Sequence, residues 1–517
     1  MTVPALSLLA GVARTLSAAP QFDSHHLSTV MVAMRDGVRL ATDVYRPARQ
    51  GQPVEGRFPV ILYRTPYDRS GLAKDGAFFA RHGYVVLAQD CRGRFASEGS
   101  FYAFVNEGRD GYDAIEWAAA QPCSDGRVVT AGASYLAWDQ YHAAMYRPPH
   151  LAGMFALVGR ANFYQEYAYP GGTPNLGWPA WLLRSAATSP EALRDPRRAA
   201  PLQAVLKDPW PWLGQHPHRR AEVFRDFPDH ARMYQDLLEH PQFDSAWKQP
   251  GFYLCGSYRR IKDVPALLVS GWYDYFAEGV LDNYRAFARM HKSPTFLIMG
   301  TWPHATGSAE CGDASFGAEA AVDQRALMLE WFEHILRGQP LRIIGPAPVR
   351  FFLMGGGPGD RDARGRLRHG GRWLDAPGWP PSGVRTVRYY LGEGARLVTA
   401  PTAAVDRRTF VFDPDDPVPT IGGRYGVPGT PACAQNQMCA SNIPGCKGAG
   451  PLDQRPDVLT YSTAPLDRPL AIAGKVRVTL WVSSDAPDTD FTAKLVDVYH
   501  GGRRASFVEL PLFTPGQ

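Results

Sequence analysis

A serine placed between a strand-like run and a helical pattern is the strongest chemical signal in the sequence. The β-branched run 127–131 leads through Gly132 to Ser134, and a helical pattern covers 135–146. Such a strand, tight turn and helix expose the serine hydroxyl and aim the next backbone N–H at a developing oxyanion. The match to the pattern G-x-S-x-G is incomplete, because Leu136 holds the second glycine position. A serine that only caps the helix is the alternative interpretation.

Two other residues follow strand-like runs and complete a set for nucleophilic catalysis. Run 265–270 is followed by Asp274, and run 295–299 is followed by His304. The carboxyl ends of parallel strands meet at one edge of a sheet, where open α/β sheets bind their ligands. In such a set Ser134 attacks a carbonyl carbon, His304 takes and returns the serine proton, and Asp274 orients the imidazole. The chain order Ser, Asp, His is that of the α/β-hydrolases.

Acyl transfer also needs two hydrogen-bond donors for the oxyanion. The backbone N–H of Tyr135, next to the serine, supplies the first. We expect the second in the loop 63–68, which follows the first long strand, and choose the hydroxyl of Tyr67. Loss of one such donor typically lowers turnover by about 10²–10³. An aromatic turn residue after Pro66 is the alternative interpretation of Tyr67.

Strand-like runs and helical patterns alternate over most of the first 340 residues. A hairpin with an Asp36-Gly37 turn opens the chain. Helical patterns at 110–120, 135–146 and 280–290 separate apolar runs, which is typical of a doubly wound, mostly parallel sheet. The predicted strands are 59–63, 84–88, 127–131, 151–158, 265–270 and 295–299.

An inserted segment divides this α/β region. Residues 1–160 and 257–340 are assigned to an α/β-hydrolase domain, and the Trp- and Pro-punctuated segment 161–256 is assigned to a helical cap. Helices are expected at 191–206 and 230–239 in the cap, and a helix at 321–337 closes the hydrolase domain.

The remaining residues, 341–517, contain short strand-like runs separated by Gly, Pro and Asp. This pattern predicts a C-terminal β jelly roll or sandwich. Its strands are expected at 349–354, 386–391, 409–412 and 476–482.

Charge and hydropathy limit the partners of the protein. The 517 residues include 55 Lys and Arg against 50 Asp and Glu, with no long basic stripe, so nucleic acid is not expected to bind. No run approaches the ~18 apolar residues of a membrane helix. Segment 4–19 lacks the positively charged start of a secretion signal. We therefore expect a soluble, cytoplasmic protein, with an exported form as the alternative.

Cysteine usage does not indicate a disulfide scaffold or a metal site. The seven cysteines are spread thinly and include no C-x-x-C, which argues against zinc. Cys433, Cys439 and Cys446 are the exception, since they could form one bridge in an exported protein. We expect neither a metal nor an organic cofactor.

Several segments resemble one family, the cocaine esterase and X-prolyl dipeptidyl-peptidase group, which also holds the α-amino-acid ester hydrolases. They occur in the family's order and span most of the chain. The segments are 34–47 (MRDGVRLATDVYRP), 64–68 (RTPYD), 90–99 (DCRGRFASEG), 132–136 (GASYL), 271–274 (GWYD), 302–304 (WPH) and 450–456 (GPLDQRP).

The resemblance implies an α/β-hydrolase fold with a helical cap and a C-terminal jelly roll. It implies Ser134 as nucleophile with Asp274 and His304 as its partners, and an oxyanion hole from the Tyr135 N–H and the Tyr67 hydroxyl. Segment 90–99 is interpreted as a structural loop beside the site, because none of its residues is placed for proton transfer. An acyl pocket is expected to be lined by Phe276, Trp178 and Trp181; burial in the cap core is the alternative for the two tryptophans.

Three departures from the family pattern bear on function. Ala137 stands where the family usually has glycine, which tightens the packing of the nucleophile helix. Tyr275 and Ala277 follow Asp274 in a region where α-amino-acid ester hydrolases carry acidic residues, although Glu278 or a distant carboxylate could substitute. The similarity fades after Tyr499, so the jelly roll is expected to be incomplete at the C-terminus. An unpaired sheet edge would favour association and leaves a homo-oligomer open.

These features predict a serine hydrolase that cleaves carboxylic esters through an acyl-enzyme, with a small-molecule ester as substrate. One alternative is an X-Pro dipeptidyl-peptidase or an α-amino-acid ester hydrolase or amidase, which acts on short peptides. Another is a non-catalytic binding protein built on a hydrolase scaffold.

Overall fold

A computed structural model describes residues 19–304, 307–401, 407–425 and 432–499, and the backbone of 504–511. The strands are, in chain order, β1 (Ser24–Ala33), β2 (Arg39–Arg49), β3 (Gln52–Pro53), β4 (Phe58–Thr65), β5 (Val85–Asp90), β6 (Ser124–Ala133), β7 (Leu151–Leu157), β8 (Ala266–Gly271), β9 (Thr295–Gly300), β10 (Glu310–Cys311), β11 (Ala314–Ser315), β12 (Val349–Met354), β13 (Leu367–Arg368), β14 (Gly371–Ala376), β15 (Tyr390–Gly392), β16 (Arg396–Val398), β17 (Met438–Cys439), β18 (Gly450–Pro451), β19 (Thr492–Val498) and β20 (Arg504–Pro511).

Eleven of these strands form one large sheet with the order β1-β2-β5-β4-β6-β7-β8-β9-β12-β14, and β3 pairs with β2. The pairs from β5 to β12 are parallel. The hairpin β1–β2 and the last strand β14 pair antiparallel with their neighbours. The opening hairpin turns at Asp36-Gly37 as predicted, with Gly37 at φ 85°. The carboxyl ends of β4, β6, β8 and β9 therefore share one edge of the sheet.

Helices cover this sheet and form the cap. Those that pack against the sheet are α1 (Ala73–Arg81), α2 (Glu107–Ala119), α3 (Tyr135–Met145), α10 (Ala277–Met290) and α11 (Gln324–Arg337); the cap contains α4 (Gly177–Ala187), α5 (Pro190–Arg194), α6 (Pro196–Lys207), α7 (Trp210–Leu213), α8 (Pro217–Arg220) and α9 (Pro228–Glu239). Strands β5 and β8 are buried along their whole length, as expected for parallel strands under helices.

The predicted strands before residue 341 are all present, with ends shifted by up to three residues. In the cap, the helix expected at 191–206 is instead two helices, α5 and α6. Asp195 separates them because it lies in extended backbone and its side chain accepts a hydrogen bond from the N–H of Arg197 at 3.0 Å. Pro196 then occupies the first helical position, where its missing N–H costs nothing.

Beyond residue 341 the expected strands match the structure only in part. Strand 349–354, expected in the jelly roll, pairs instead with β9 and extends the hydrolase sheet. It joins this sheet because Val349, Phe351 and Phe352 are buried there. The strand expected at 386–391 is reduced to β15, and 409–412 and 476–482 contain no strand. Val411 and Trp481 in these two runs are exposed, so they lack the packing that a strand of a sandwich needs.

In the described part of the chain, no helix has the length and apolar character required to cross a membrane.

Two disulfides are formed among the described residues. Cys439 pairs with Cys446, and Cys433 pairs with Cys311, which lies 122 residues earlier; the Cα–Cα distances are 5.5 and 5.2 Å. The sequence leaves open one bridge among Cys433, Cys439 and Cys446, which the pair Cys439–Cys446 matches, but it does not indicate the pairing of Cys433 with Cys311. Cys311 and Cys433 are packed in a small apolar cluster with Tyr273.

The two bridges close loops of very different length, and we expect them to differ in their contribution to stability. Chain entropy predicts a loss of ~5 kcal/mol when Cys311 and Cys433 are both changed to Ser, but of ~2.5 kcal/mol for the Cys439 and Cys446 pair. Thermal unfolding of the two double variants without reductant measures this difference. Equal decreases in Tm would contradict the prediction, and reduction should bring all variants and the wild type together.

Candidate active site

The backbone around Ser134 is a sharp turn at the end of the central strand β6. Ser134 has φ 60° and ψ −117°, and helix α3 begins at the next residue. Gly132 has φ 145°, and a Cβ there would lie 2.3 Å from the Cβ of Leu136. Leu136 at the second glycine position is therefore accommodated by the glycine at the first. The turn stores backbone strain to hold the serine at the sheet edge.

The family departure at Ala137 has a similar compensation. Its side chain is completely buried, and a Cβ on Gly159 would lie 3.2 Å from its methyl group. Since Gly159 has no side chain, the extra methyl of Ala137 fits between α3 and the segment after β7.

Asp274 and His304 are brought together by the ends of β8 and β9. Nδ1 of His304 lies 2.6 Å from Oδ2 of Asp274, whose side chain is completely buried. The other carboxylate oxygen accepts a hydrogen bond from the N–H of Phe276 at 2.5 Å. The ring of Tyr275 stacks on the imidazole at 4.4 Å, and the ring of Phe276 meets its edge at 5.5 Å. The carboxylate and both rings fix the orientation of the imidazole, which leaves Nε2 for a second partner.

Tyr67 lies in the loop after β4 and faces the serine. Its hydroxyl accepts a hydrogen bond from Nε1 of Trp181 at 3.1 Å, and the side chain of Ser134 is near enough to lower the pKa of this hydroxyl. Although 48% of the residue is exposed, the protein around the hydroxyl raises the pKa of Tyr67 above 10 by desolvation; the Trp181 bond and the charge of Arg160 oppose this rise. Tyr67 therefore remains a proton donor throughout the neutral range.

Tyr135, whose backbone N–H follows the serine, is anchored by its side chain. Its buried hydroxyl donates to Oε1 of Glu107 and accepts from the N–H of Phe104 at 3.0 Å. Burial raises the pKa of Glu107 and of Tyr135. Nothing in the sequence pattern of α2 distinguishes Glu107 from an exposed acid in a first helical turn, so sequence reasoning missed this anchor.

The three residues expected to line an acyl pocket occupy two layers. Trp178 is buried in the cap, with its ring 4.7 Å from that of Phe163. Trp181 stacks on Trp178 at 4.8 Å and reaches Tyr67. Phe276 contacts the imidazole of His304. The structure thus places Trp181 and Phe276 beside the candidate catalytic groups and Trp178 behind Trp181.

Arg160, which sequence reasoning also missed, lies just beyond the carboxyl end of β7, next to the serine strand. Its guanidinium carbon lies 3.6 Å from the ring centre of Phe104, 4.2 Å from Trp138 and 4.4 Å from Phe163. Burial lowers its pKa to about 9. A polar residue directly after a buried strand is the signal that identified Asp274, and it could have identified Arg160.

Two carboxylates lie near the aromatic groups of the site. Oε1 of Glu166 accepts hydrogen bonds from the backbone N–H groups of Ala161 (3.0 Å) and Asn162 (2.6 Å). Burial raises the pKa of Glu166 to about 8. Glu278, at the start of α10, forms an ion pair with Lys475. Among the residues that the structure describes, no group of three or more His, Cys, Asp or Glu could hold a metal ion.

The raised pKa of Glu166 predicts that the free energy of unfolding decreases as the pH rises. Between about pH 4.5 and pH 8 the unfolded chain releases a proton that the folded chain retains, so stability falls as the pH rises through this window. Glu166→Gln keeps an oxygen for the two backbone N–H groups and does not ionise. The Tm of the wild type should therefore decrease relative to that of the variant between pH 5 and pH 8. Parallel Tm curves would show that Glu166 titrates normally.

The sheet order and the strand, turn and helix at Ser134 define an α/β-hydrolase. Residues 36–306 match the family described as X-Pro dipeptidyl-peptidase (S15 family). Residues 345–508 match the X-Pro dipeptidyl-peptidase C-terminal non-catalytic domain, a match that includes β12 and β14 of the large sheet. The chain therefore belongs to the S15 family and is a serine hydrolase, as the sequence segments predicted.

The similarity to individual relatives extends over most of the chain. The chain is 33% identical to the cocaine esterase of Rhodococcus sp. (strain MB1 Bresler), covering 92% of this chain and 81% of the relative. A solved α-amino acid ester hydrolase superposes with a TM-score of 0.64 at 19% identity, covering 99% and 85% of the two chains. An aminopeptidase from the marine sediment archaeon Thaumarchaeota archaeon superposes with a TM-score of 0.60 at 21% identity, covering 80% and 68%. The predicted fold class is confirmed.

Proposed function

We propose that the protein hydrolyses small carboxylic esters through an acyl-enzyme formed on Ser134. The observation that carries this proposal is the buried Asp274–His304 hydrogen bond at the same sheet edge as the serine turn. A buried acid bonded to Nδ1 favours the tautomer whose Nε2 can accept a proton, which a serine hydroxyl needs in order to attack.

The reaction follows from this arrangement in two halves. Nε2 of His304 takes the Ser134 proton as Oγ attacks the ester carbonyl. The resulting oxyanion accepts hydrogen bonds from the Tyr135 N–H and the Tyr67 hydroxyl. Collapse expels the alcohol, which leaves with the proton held by His304. Water, deprotonated by the same imidazole, then attacks the acyl carbon. The imidazolium returns this proton to Oγ of Ser134 as the acyl–oxygen bond breaks and the acid is released.

The charges near the site support an ester rather than a free amino-terminal peptide as substrate. A peptidase that binds a substrate ammonium needs an available carboxylate. Glu166 holds two backbone N–H groups and is largely protonated at neutral pH, with a pKa of about 8. Glu278 is already neutralised by Lys475. Neither offers a free anion, whereas the aromatic surface of Trp181 and Phe276 suits an apolar acyl group.

A matched pair of substrates tests the ester proposal. We expect kcat/KM on a p-nitrophenyl acyl ester to exceed that on an X-Pro p-nitroanilide by orders of magnitude. Ser134→Ala should abolish both activities without loss of fold, because only one hydroxyl at a half-buried turn is removed. Efficient anilide cleavage would establish the peptidase alternative instead. Full ester activity in Ser134→Ala would refute the nucleophile assignment.

The second oxyanion donor has its own test. Tyr67→Phe keeps the ring and removes the hydroxyl, so kcat should fall by about 10²–10³. Labelling of Ser134 by a fluorophosphonate probe reports whether the serine is still presented correctly, and should persist. Unchanged kcat would mean that another group stabilises the oxyanion.

For the compartment, the two disulfides support the exported alternative over the cytoplasm. Cytosolic thiols are kept reduced, whereas structural disulfides persist in oxidising compartments. Alkylation of thiols in freshly harvested cells, with and without reductant, distinguishes the two locations.

A further inference from the structure

Trp181 of the cap contacts both residues that supply the oxyanion donors. Its indole Nε1–H donates to the Tyr67 hydroxyl at 3.1 Å. Its ring lies 6.2 Å from that of Tyr135, with an interplanar angle of only 7°. The oxyanion donors come from the loop after β4 and from the start of α3, so Trp181 is a point where the cap meets both.

The hydrogen bond to Tyr67 determines where the phenolic proton can go. A tyrosine hydroxyl has one proton to donate, and indole N–H is a donor only. Because the Tyr67 oxygen accepts from Trp181, its own proton is directed away from the indole. Accepting a bond also polarises the O–H, which strengthens it as a donor by about 10–30%.

The spacing between Trp181 and Tyr67 is fixed by a buried arginine. Arg94 donates from Nε to the carbonyl of Pro66 at 3.0 Å, next to Tyr67. From its other nitrogens it donates to the carbonyl of Ser185 at 2.9 Å and to the hydroxyl of Thr188 at 2.7 Å, at the end of α4. One guanidinium therefore ties the loop that carries Tyr67 to the helix that carries Trp181.

The indole itself has little freedom to turn. Trp178, one helical turn earlier, stacks on it at 4.8 Å with an interplanar angle of 11°. The ring of Tyr135 is nearly parallel to it as well. Because Trp178 of the same helix and Tyr135 of the hydrolase domain both pack against the indole, its Nε1–H stays directed at the Tyr67 hydroxyl.

We propose that Trp181 is a positioning residue for the oxyanion hole: it directs and polarises the hydroxyl of Tyr67, in addition to facing the acyl pocket. This inference rests on the proposed function, because it gives Trp181 an effect on the acyl-transfer step. The cap then contributes to turnover and not only to substrate binding.

A double-mutant cycle between Trp181 and Tyr67 tests the proposal with the p-nitrophenyl ester. Trp181→Phe removes the N–H and keeps an aromatic ring, and should lower kcat about 3- to 10-fold with KM changed less than about 2-fold. In the Tyr67→Phe background the same change should have almost no further effect on kcat, because the hydroxyl that it acts on is gone. Losses that multiply in the double variant, or an unchanged kcat in Trp181→Phe, would overturn the proposal.

Trp178→Phe is the matched control. It alters the same stack of rings but keeps the N–H of Trp181 that donates to the Tyr67 hydroxyl, so it should lower kcat less than Trp181→Phe does. If Trp181→Phe fails to fold, replacement of Trp181 by benzothienylalanine, in which sulfur takes the place of N–H, keeps the shape and repeats the test.

The failure of this inference is distinguishable from that of the proposed function. If Ser134→Ala abolishes turnover but the cycle is multiplicative, Ser134 remains the nucleophile and only the role of Trp181 is rejected. If Ser134→Ala retains activity, the reaction does not use this site, and the proposed function and the role of Trp181 are both rejected.

Discussion

The hydrogen bond between His304 and Asp274 sets the strictest requirement on the fold. Both residues follow adjacent parallel strands, and their loops approach so closely that a Cβ on Gly271 would lie 2.1 Å from the carbonyl oxygen of Trp302. A Cβ on Gly300 would meet the ring of the same tryptophan at 2.5 Å. The acid–base pair therefore depends on two glycines at strand ends, one against the backbone and one against the ring of the buried Trp302.

The cap and the hydrolase domain meet through polar contacts made by buried groups. Arg94 bonds to carbonyl and hydroxyl oxygens of both parts, and Arg160 lies among aromatic rings from both. Buried cations are costly unless they are bonded or packed against π faces. These two arginines are held by such contacts, so separation of the cap would expose apolar rings and break charge-assisted hydrogen bonds together.

Features that depend only on the pattern of neighbouring residues along the chain could be predicted from the sequence. The positions of Ser134, Asp274 and His304 at strand ends required only the periodicity of short apolar runs, and the parallel sheet then placed all three at one edge. The contacts of Glu107, Arg160 and Trp181 depend on which side chains meet across separate elements, and such meetings leave no local pattern. The bridge from Cys433 to Cys311 is of this kind.

Strand 349–354 shows the opposite error, in which a strand was predicted correctly but its pairing partner was not. The run 349–354 has the apolar character and the flanking turn residues of a sandwich strand. In the structure it instead pairs in parallel with β9 of the large sheet, on the side of β9 away from β8. The sequence pattern identified this run as a strand but not its partner. A strand can pair with any neighbouring strand whose backbone N–H and C=O groups are still unpaired, and the local pattern does not show which strand that is.

The bridge between Cys311 and Cys433 also has a consequence for the order of events during synthesis. The large sheet is complete at Ala376, the end of β14, 57 residues before Cys433. At a translation rate of about 5–20 residues per second, this interval is roughly 3–11 s. Cys311 has no Cys433 to pair with during this interval, so the strands that carry the acid and base are available for pairing before the bridge to the next domain can form.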